Sequence, residues 1–229
     1  MYELYIANKN YSSWSLRPWV LMRERAIPFQ ERLIPFDRDS SWEAFRQFSP
    51  TGKVPCLIHG TTVVWDSLSI AEYLAERHEG VWPVDPQARA WARSAAAEMH
   101  SSFGVLRERC TMSCGIRIRL DEMPPALKKD IDRICGLWNE GVQRFGGPFL
   151  AGASFTAVDA FFAPVAFRVQ TYRLELDEGA AAYAARLLAL PSMQSWQADA
   201  LREPWRQPDH EVEAQKAGTW IEDLRAKPA

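Results

Sequence analysis

The kind of residue periodicity changes once along this chain of 229 residues, and that change restricts the possible folds more than any other feature. Up to about His78, short β-rich segments alternate with segments whose apolar residues recur at helical spacing. Beyond Pro86 every clear periodicity is helical. We therefore predict an α/β domain over residues 1–79 and an all-α domain over residues 87–229, joined by a Gly- and Pro-containing linker over residues 80–86.

The first domain is predicted to have the element order β-α-β-α-β-β-α. Its elements are strand 2–7, helix 13–25, strand 29–35, helix 42–48, strands 54–58 and 62–65, and a helix that begins at Asp66 or Ser67. The first strand, helix and strand make a βαβ unit, and its two strands should be parallel because a helical crossover joins them. The last two strands flank a turn that contains Gly60, which is typical of a β-hairpin.

The charge pattern and the apolar stretches exclude several classes of partner. The chain has 27 basic and 29 acidic residues, mixed along its length, whereas a nucleic-acid-binding face needs clustered basic residues. Its N-terminus has neither the basic flank nor the apolar run of a signal peptide. The most apolar later stretch, residues 156–169, is too short to span a bilayer and contains Asp159 and Arg168. We expect a cytoplasmic protein with no nucleic-acid or membrane partner.

The cysteines give no sign of a disulfide framework or a metal site. The chain has 4 cysteines and no Cys-x-x-Cys pair, and a reducing compartment disfavours disulfides. Cys110 and Cys114 lie one helical turn apart, but no His or Cys stands around them at the spacing of a zinc site. We therefore predict ordinary small apolar side chains and no metal.

Pro55 stands at the entry to a predicted strand, where proline is unusual because it cannot donate a hydrogen bond to the ladder. A cis peptide bond between Val54 and Pro55 would resolve this conflict and turn the backbone N–H and C=O of Val54 towards an open cleft. An extended peptide ligand could then pair with Val54 in the manner of an added strand. The alternative is an ordinary junction between a loop and a strand.

Asp66 and Ser67 begin the last helix of the first domain. The N-terminus of a helix presents free N–H groups and favours a carboxylate, and an acidic side chain beside it can accept a hydrogen bond from an ammonium group. The pair therefore suits the zwitterionic end of an amino acid. Alternatively, Asp66 and Ser67 only cap the helix.

The loop between the first strand and the first helix is rich in hydroxyl groups. Its sequence over residues 10–17 is NYSSWSLR. Ligands of α/β sheets bind beyond the carboxyl ends of the strands, so the hydroxyls of Ser12 and Ser13 can face a ligand there. Alternatively, a Ser caps the helix while Tyr11 and Trp14 pack.

Three motifs, in this order and at this spacing, resemble the glutathione transferase superfamily. They are residues 48–55 (FSPTGKVP), similar to the family's segment ending in a cis-proline; residues 66–67 (DS) with 70–74 (IAEYL), similar to its acidic-Ser helix start; and residues 155–159 (FTAVD) with Pro164, similar to its buried capping box. In such a box Thr156 and Asp159 satisfy each other's backbone donors. The resemblance runs through nearly the whole chain and implies a thioredoxin-like first domain and an all-helical second domain.

Within the superfamily, residues 12–17 (SSWSLR) are similar to the Ser-rich opening of zeta-class enzymes, which act as maleylacetoacetate isomerases and on α-halo acids. The chain departs from that pattern by carrying Trp14 where the zeta-class motif has Cys. The resemblance to Ser-type enzymes implies that the hydroxyl of Ser12, or else that of Ser13, stabilises the glutathione thiolate.

The resemblance also implies how the rest of glutathione, the co-substrate, is held. Val54, before the cis Pro55, would pair with the cysteinyl backbone. Asp66 and Ser67 would hold the γ-glutamyl end, and Lys53 would meet the glycyl carboxylate.

The second substrate, a small electrophile, is expected between Trp14, Arg17 and the first long helix of the second domain, which contains His100. Arg17 either anchors an acidic electrophile or pairs on the surface. His100 either contacts the substrate or is simply packed or solvated. Family members are usually dimers, so the resemblance also implies a homodimer.

The implied function is that of a transferase that activates the glutathione thiol for attack on a small electrophile. Two alternatives stay open. One is a glutathione-dependent isomerase of the maleylacetoacetate type, and the other is a non-catalytic module that uses the fold for binding or assembly.

Overall fold

The computed structural model describes residues 1–36 and 41–225 of the chain. Strands β1 (Tyr2–Ile6), β2 (Phe29–Leu33), β3 (Cys56–His59) and β4 (Thr62–Trp65) form one sheet with the order β2-β1-β3-β4. β1 and β2 are parallel, while β3 is antiparallel to both of its neighbours. The predicted βαβ unit and the predicted hairpin are therefore confirmed.

Helices α1 (Ser13–Glu24), α2 (Ser41–Arg46) and α3 (Ser67–Ala75) complete the first domain. α1 buries Leu16, Trp19 and Val20 and packs beside α3. The element order is β-α-β-α-β-β-α, which confirms the thioredoxin-like architecture.

The third strand begins later than the sequence pattern predicted. Strand 54–58 was expected, but the first residue paired in the ladder is Cys56, which lies opposite Tyr5. Pro55 has no N–H to contribute to the ladder, so the strand starts after it. The peptide bond between Val54 and Pro55 is cis, as predicted.

The second domain is mainly helical. Its helices are α4 (Pro86–Ser101), α5 (Gly104–Arg109), α6 (Pro125–Phe145), α7 (Ala157–Tyr172), α8 (Glu178–Leu188), α9 (Pro191–Arg202) and α10 (Pro208–Gln215). α7 is buried over nearly its whole length and packs against α1, α4 and α8. The exact limits of the two domains stay a prediction, and residues 226–229 lie outside the described part.

The helical domain also contains a small sheet that the sequence analysis did not predict. β5 (Ile116–Leu120) pairs in antiparallel fashion with β6 (Gly218–Asp223). The chain after Pro204 therefore returns through α10 and β6 to the body of the domain. Among the described residues, no helix has the length and apolar character needed to cross a membrane.

The start of α7 is fixed by the buried capping box that the sequence predicted. Asp159 accepts hydrogen bonds from the backbone N–H and the hydroxyl of Thr156, at 2.8 and 3.3 Å. It also accepts from the backbone N–H of Leu150 at 3.0 Å and from the hydroxyl of Tyr183 at 2.8 Å. The carboxylate thus joins the preceding loop, α7 and α8.

The loop between β1 and α1 is held by the helical domain. The carboxylate of Glu203 accepts hydrogen bonds from the backbone N–H groups of Lys9 and Asn10, at 2.5 and 3.2 Å. The indole of Trp196 donates to the carbonyl of Lys9 at 2.8 Å, and the Lys9 ammonium pairs with Asp199 at 2.7 Å. The position of this Ser-rich loop therefore depends on both domains.

Candidate active site

A cavity of about 900 Å³ lies between the two domains, next to the loop that precedes α1. The sequence-predicted residues that line it are Ser12, Ser13, Trp14, Lys53 and Val54. The helical domain contributes Arg107 and Thr111 from around α5, Arg168 from α7, and His210, Glu213 and Lys216 from around α10. The cavity thus brings together two of the three regions that the sequence predicted to bind glutathione.

Ser12 is buried at the start of α1, and its side chain makes no capping hydrogen bond there. Its hydroxyl donates to the hydroxyl of Ser15 at 2.7 Å, and Ser15 also accepts from the backbone N–H of Ala7 at 3.2 Å. A hydroxyl donates one hydrogen bond and accepts two, so rotation of both hydroxyls lets Ser15 donate to Ser12. The proton of Ser12 is then free for a group in the cavity.

The other two hydroxyl residues of this loop differ from Ser12. Ser13 is half-buried and is the first residue of α1. The hydroxyl of Tyr11 donates to Glu211 at 2.7 Å and accepts from Arg225 at 3.0 Å, and burial together with Glu211 raises the pKa of Tyr11. The single proton of Tyr11 is therefore already engaged by the C-terminal tail.

Lys53, Val54 and Pro55 form the opposite edge of the cavity entrance. Lys53 is exposed, Val54 is half-buried, and the buried Pro55 does not itself line the cavity. Within residues 1–36 and 41–225, the backbone N–H and C=O of Val54 make no hydrogen bond. Unpaired backbone groups of this kind can bind an extended peptide.

Asp66 and Ser67 lie at the start of α3. Asp66 caps the helix by accepting from the N–H of Leu68 at 2.8 Å, as the sequence predicted. It has a φ of 72°, which is uncommon for a residue other than glycine and is a recurring feature of functional sites. Ser67 is buried, and its hydroxyl has no hydrogen-bond partner among the described residues.

Arg17 is buried, so the surface pairing considered from the sequence is wrong. Its guanidinium lies 4.2 Å from the centre of the Trp14 ring and 4.9 Å from that of Phe161. It donates to the carbonyl of Met99 at 3.5 Å, while its Nε and Nη1 have no partner in the described part of the chain. Burial and the nearby arginines lower the pKa of Arg17.

His100 is half-buried and belongs to the same group of side chains as Arg17. Its Nε2 lies 3.4 Å from the carboxylate of Asp66, and its ring meets that of Trp14 at 5.3 Å between centres. Burial lowers the pKa of His100. None of Arg17, His100, Asp66 or Ser67 lines the cavity that holds Ser12, so the predicted site is divided into two groups, which meet at Trp14.

Several residues of the site, among them Ser15, Arg107 and Arg168, were not singled out in the sequence. Ser15 was read only as part of the loop, although its position three residues after Ser12 places the two hydroxyls on one side of a helical turn. Arg168 was noted only as a charge within an apolar segment. A basic residue in an otherwise buried helix was the available signal, because charged side chains are rarely buried without a role.

The four thiols are free and buried. Burial raises the pKa of Cys56 to about 11 and that of Cys110 to about 12, and it also raises the pKa of Cys114. In the described residues, no group of three or more His, Cys, Asp or Glu side chains is placed to hold a metal ion.

Residues 11–77, which contain every first-domain element of the site, match the family described as the glutathione S-transferase N-terminal domain. The fold of the whole chain agrees with that match. It superimposes on a glutathione transferase homolog from Burkholderia, solved with bound glutathione, with a TM-score of 0.64 and 23% identity over 87% of this chain and 97% of that one. The first domain therefore belongs to the glutathione S-transferase N-terminal domain family, and the whole chain has the glutathione transferase fold.

Curated relatives of this protein align over different lengths. Glutathione S-transferase 1 from Dianthus caryophyllus is 25% identical over 166 residues, which cover 71% of this chain and 74% of the relative. Dichloromethane dehalogenase from Methylorubrum extorquens is 38% identical over 61 residues, which cover 26% of this chain and only 21% of the dehalogenase. The similarity therefore establishes a glutathione transferase-like protein without identifying one reaction or substrate.

Proposed function

We propose that this chain is a Ser-type glutathione transferase, in which Ser12 stabilises the glutathione thiolate for attack on a small electrophile. The observation that carries the proposal is the buried hydroxyl of Ser12, backed by Ser15, at a cavity that also exposes the unpaired backbone of Val54. In the reaction the thiolate sulfur forms a bond to an electrophilic carbon, and the leaving group departs with its electron pair.

The energy needed for thiolate formation is within the reach of one hydroxyl. A free thiol has a pKa of about 8.5, so making the thiolate the main form at neutral pH requires a shift of about two units, or about 2.7 kcal/mol. A hydrogen bond from a hydroxyl to an anion contributes about 1.5–3 kcal/mol. The N-terminus of α1 adds about 0.3–1 kcal/mol.

The remaining contacts follow the charges of glutathione. The cysteinyl backbone pairs with Val54, whose conformation is set by cis Pro55, and Lys53 meets the glycyl carboxylate. The γ-glutamyl ammonium group lies beside Asp66, and the γ-glutamyl carboxylate accepts from Ser67, whose hydroxyl has no partner in the part of the chain that the structure describes. Trp14 forms the wall between this end and the electrophile, with Arg17 and His100 behind it.

The experiment compares Ser12→Ala with Ser13→Ala and Tyr11→Phe. We expect Ser12→Ala to lower glutathione-dependent turnover at least about tenfold and to raise the pH at which thiolate absorbance appears, because the missing hydrogen bond accounts for most of the required shift. The other two variants should leave that pH unchanged. A Ser13→Ala variant with the phenotype expected of Ser12→Ala would move the assignment by one residue, and three wild-type thiolate titrations would refute the mechanism.

The isomerase alternative is separated by product analysis. A maleyl-type acid would be isomerised through addition of the thiolate and its later departure, so the glutathione concentration would stay constant while the product formed. Cationic side chains in the cavity, including Arg107 and Arg168, favour retaining this second candidate. The non-catalytic alternative requires glutathione retention on an affinity column with no turnover of any electrophile.

Assembly as a homodimer and location in the cytoplasm stay predictions. Sedimentation equilibrium of the purified chain tests the first of these, and cell fractionation tests the second.

A further inference from the structure

Three arginines of the helical domain line the cavity that holds Ser12, and one of them, Arg109, is paired with Glu122 at 3.1 Å. The other two are Arg107 and Arg168. Arg107 lies on α5 and is half-buried, and Arg168 lies on α7 with only 5% of its surface exposed. We refer to Arg107 and Arg168 as the arginine pair.

Carbonyl oxygens are the only groups that accept hydrogen bonds from the arginine pair in the described part of the chain. Arg107 donates to the carbonyls of Ser102, at 3.0 Å, of His100, at 3.1 Å, and of Met99. Arg168 donates to the carbonyl of Cys110 at 2.7 Å. One nitrogen of each guanidinium, Nη1 of Arg107 and Nη2 of Arg168, makes no hydrogen bond there.

The charge of the arginine pair is not compensated by a carboxylate. Two acidic residues, Glu108 and Glu213, also line the cavity, but neither lies within 4.0 Å of the pair among the described residues. Burial and the proximity of Arg107 lower the pKa of Arg168 to about 10. A buried cation without a counter-charge is costly, so an anion in the cavity would stabilise this arrangement.

We propose that the arginine pair binds a negatively charged group of the second substrate, and that the electrophile is therefore a carboxylate-bearing compound. This inference rests on the proposed function and adds the substrate class to it. The free Nη2 of Arg168 and the free Nη1 of Arg107 can each donate one charge-assisted hydrogen bond to a carboxylate. Trp14, whose ring lies 4.8 Å from the Arg107 guanidinium, packs beside the organic part of the electrophile.

The test uses two matched aromatic electrophiles, 4-chloro-3-nitrobenzoate and 4-chloro-3-nitrobenzamide. They differ in one charged group, and each loses chloride to the thiolate. For each electrophile the enzymatic rate with glutathione is divided by the uncatalysed rate, so that the different intrinsic reactivities of the two compounds cancel. For the wild type we expect a KM at least about tenfold lower for the benzoate, because hydrogen bonds to charged groups are among the strongest.

The variants are Arg107→Gln and Arg168→Gln, with Arg133→Gln as the matched control. Arg133 lies on α6, does not line the cavity and is paired with Glu98 at 2.6 Å. Each of the first two variants should raise the KM for the benzoate about tenfold and leave that for the benzamide within about twofold. Arg133→Gln should change the ratio of the two KM values less than twofold. If Arg168→Gln does not fold, the KM values of Arg107→Gln alone test the proposal.

Equilibrium titration of the benzoate without glutathione separates this inference from the proposed function. Binding of the benzoate that exceeds that of the benzamide and falls in Arg107→Gln supports the arginine pair, even in a protein that forms no conjugate. Equal KM values for the two electrophiles in an active enzyme would overturn the inference and leave the transferase reaction intact. A rise in the KM for glutathione itself, with the benzoate unaffected, would also overturn it.

Discussion

The two sides of the cavity are built in different ways. The first-domain side consists of short groups at fixed backbone positions, the Ser12 hydroxyl at the start of α1 and the free backbone of Val54, and the helix start at Ser67 lies in the same domain outside the cavity. The helical-domain side consists of long cationic side chains and a C-terminal tail. The first kind of wall suits one constant ligand, because backbone geometry changes little between relatives. The second kind can change with every substitution, and it suits a substrate that differs from enzyme to enzyme.

We expect the largest effect from a substitution that destabilises α7, the helix that carries Arg168. Replacing Asp159 by Ala leaves four buried hydrogen bonds unmade, at the start of α7, in the loop before it and to Tyr183 of α8. We expect the free energy of unfolding to fall by at least about 3 kcal/mol, since each stranded buried group costs about 1–3 kcal/mol. Urea denaturation measures the change.

Asp177 offers the matched control for that experiment. It caps α8 by accepting from the N–H of Ala180 at 2.9 Å, but it does so at the exposed surface. Asp177→Ala should cost only about 0.5–2 kcal/mol. Equal losses in the two variants would mean that burial adds nothing to the capping box.

A second prediction concerns the pH dependence of the same carboxylate. Burial raises the pKa of Asp159 to about 6, above its ordinary value of 3.8, despite the hydrogen bonds it accepts. A folded-state pKa above that of the unfolded chain gives a stabilising contribution that is complete below about pH 4 and is lost as the pH rises through about 6. The stability difference between wild type and Asp159→Asn should therefore grow, by about 2 kcal/mol, as the pH falls from 7 to 4. A difference that is flat over this range would contradict the raised pKa.

The third prediction addresses the first-domain side. Ser67→Ala should weaken glutathione binding about five- to thirtyfold, which corresponds to about 1–2 kcal/mol, and leave the rate at saturation nearly unchanged. Asp66→Asn should weaken binding more, since it removes the counter-charge of the ligand's ammonium group. Calorimetric titration measures both variants, with cysteinylglycine as the control ligand that lacks the γ-glutamyl group. If both variants keep the full preference for glutathione over cysteinylglycine, Asp66 and Ser67 only cap the helix.

The smallest expected effect concerns the contact between Tyr11 and the C-terminal tail, and it shows whether this contact influences turnover. Tyr11→Phe removes the hydroxyl that joins the loop to Glu211 and Arg225, so we expect a loss of stability of about 1 kcal/mol. The melting temperature measures this loss. A change of more than about twofold in turnover at saturating substrates would show that the tail also acts on the reacting groups.

The sequence was most informative where function depends on the backbone. A proline at a strand entry, an acidic residue at a helix start and a Ser-rich turn each predict a local conformation, and the structure contains the cis bond before Pro55 and the cap at Asp66. The thioredoxin-like order and the helical second domain followed from periodicity. These features depend on neighbours in the chain, which a single sequence displays.

Contacts between distant segments were much harder to predict. The alternation in β5 (IRIRL) is a strand pattern, but its partner β6 lies almost a hundred residues later and shows no clear alternation. Arg17 was expected either to anchor an acidic electrophile or to pair on the surface, because nothing near it in sequence indicates the rings that cover it. The arginine pair became visible only when α5 and α7 were brought to the same cavity.

The Glu203 carboxylate accepts hydrogen bonds from the backbone N–H groups of Lys9 and Asn10. These hydrogen bonds limit how the domains of such proteins can be exchanged. A chimera that joins this first domain to the helical half of a relative would keep every glutathione contact in its own chain. It would nevertheless lose the carboxylate that holds the Ser12 loop from outside, unless the new half carried an acid at the same place. Exchange of whole halves is thus restricted to donors that carry an acid at the position of Glu203, whereas replacing a single cavity-lining residue of the helical side leaves this contact in place.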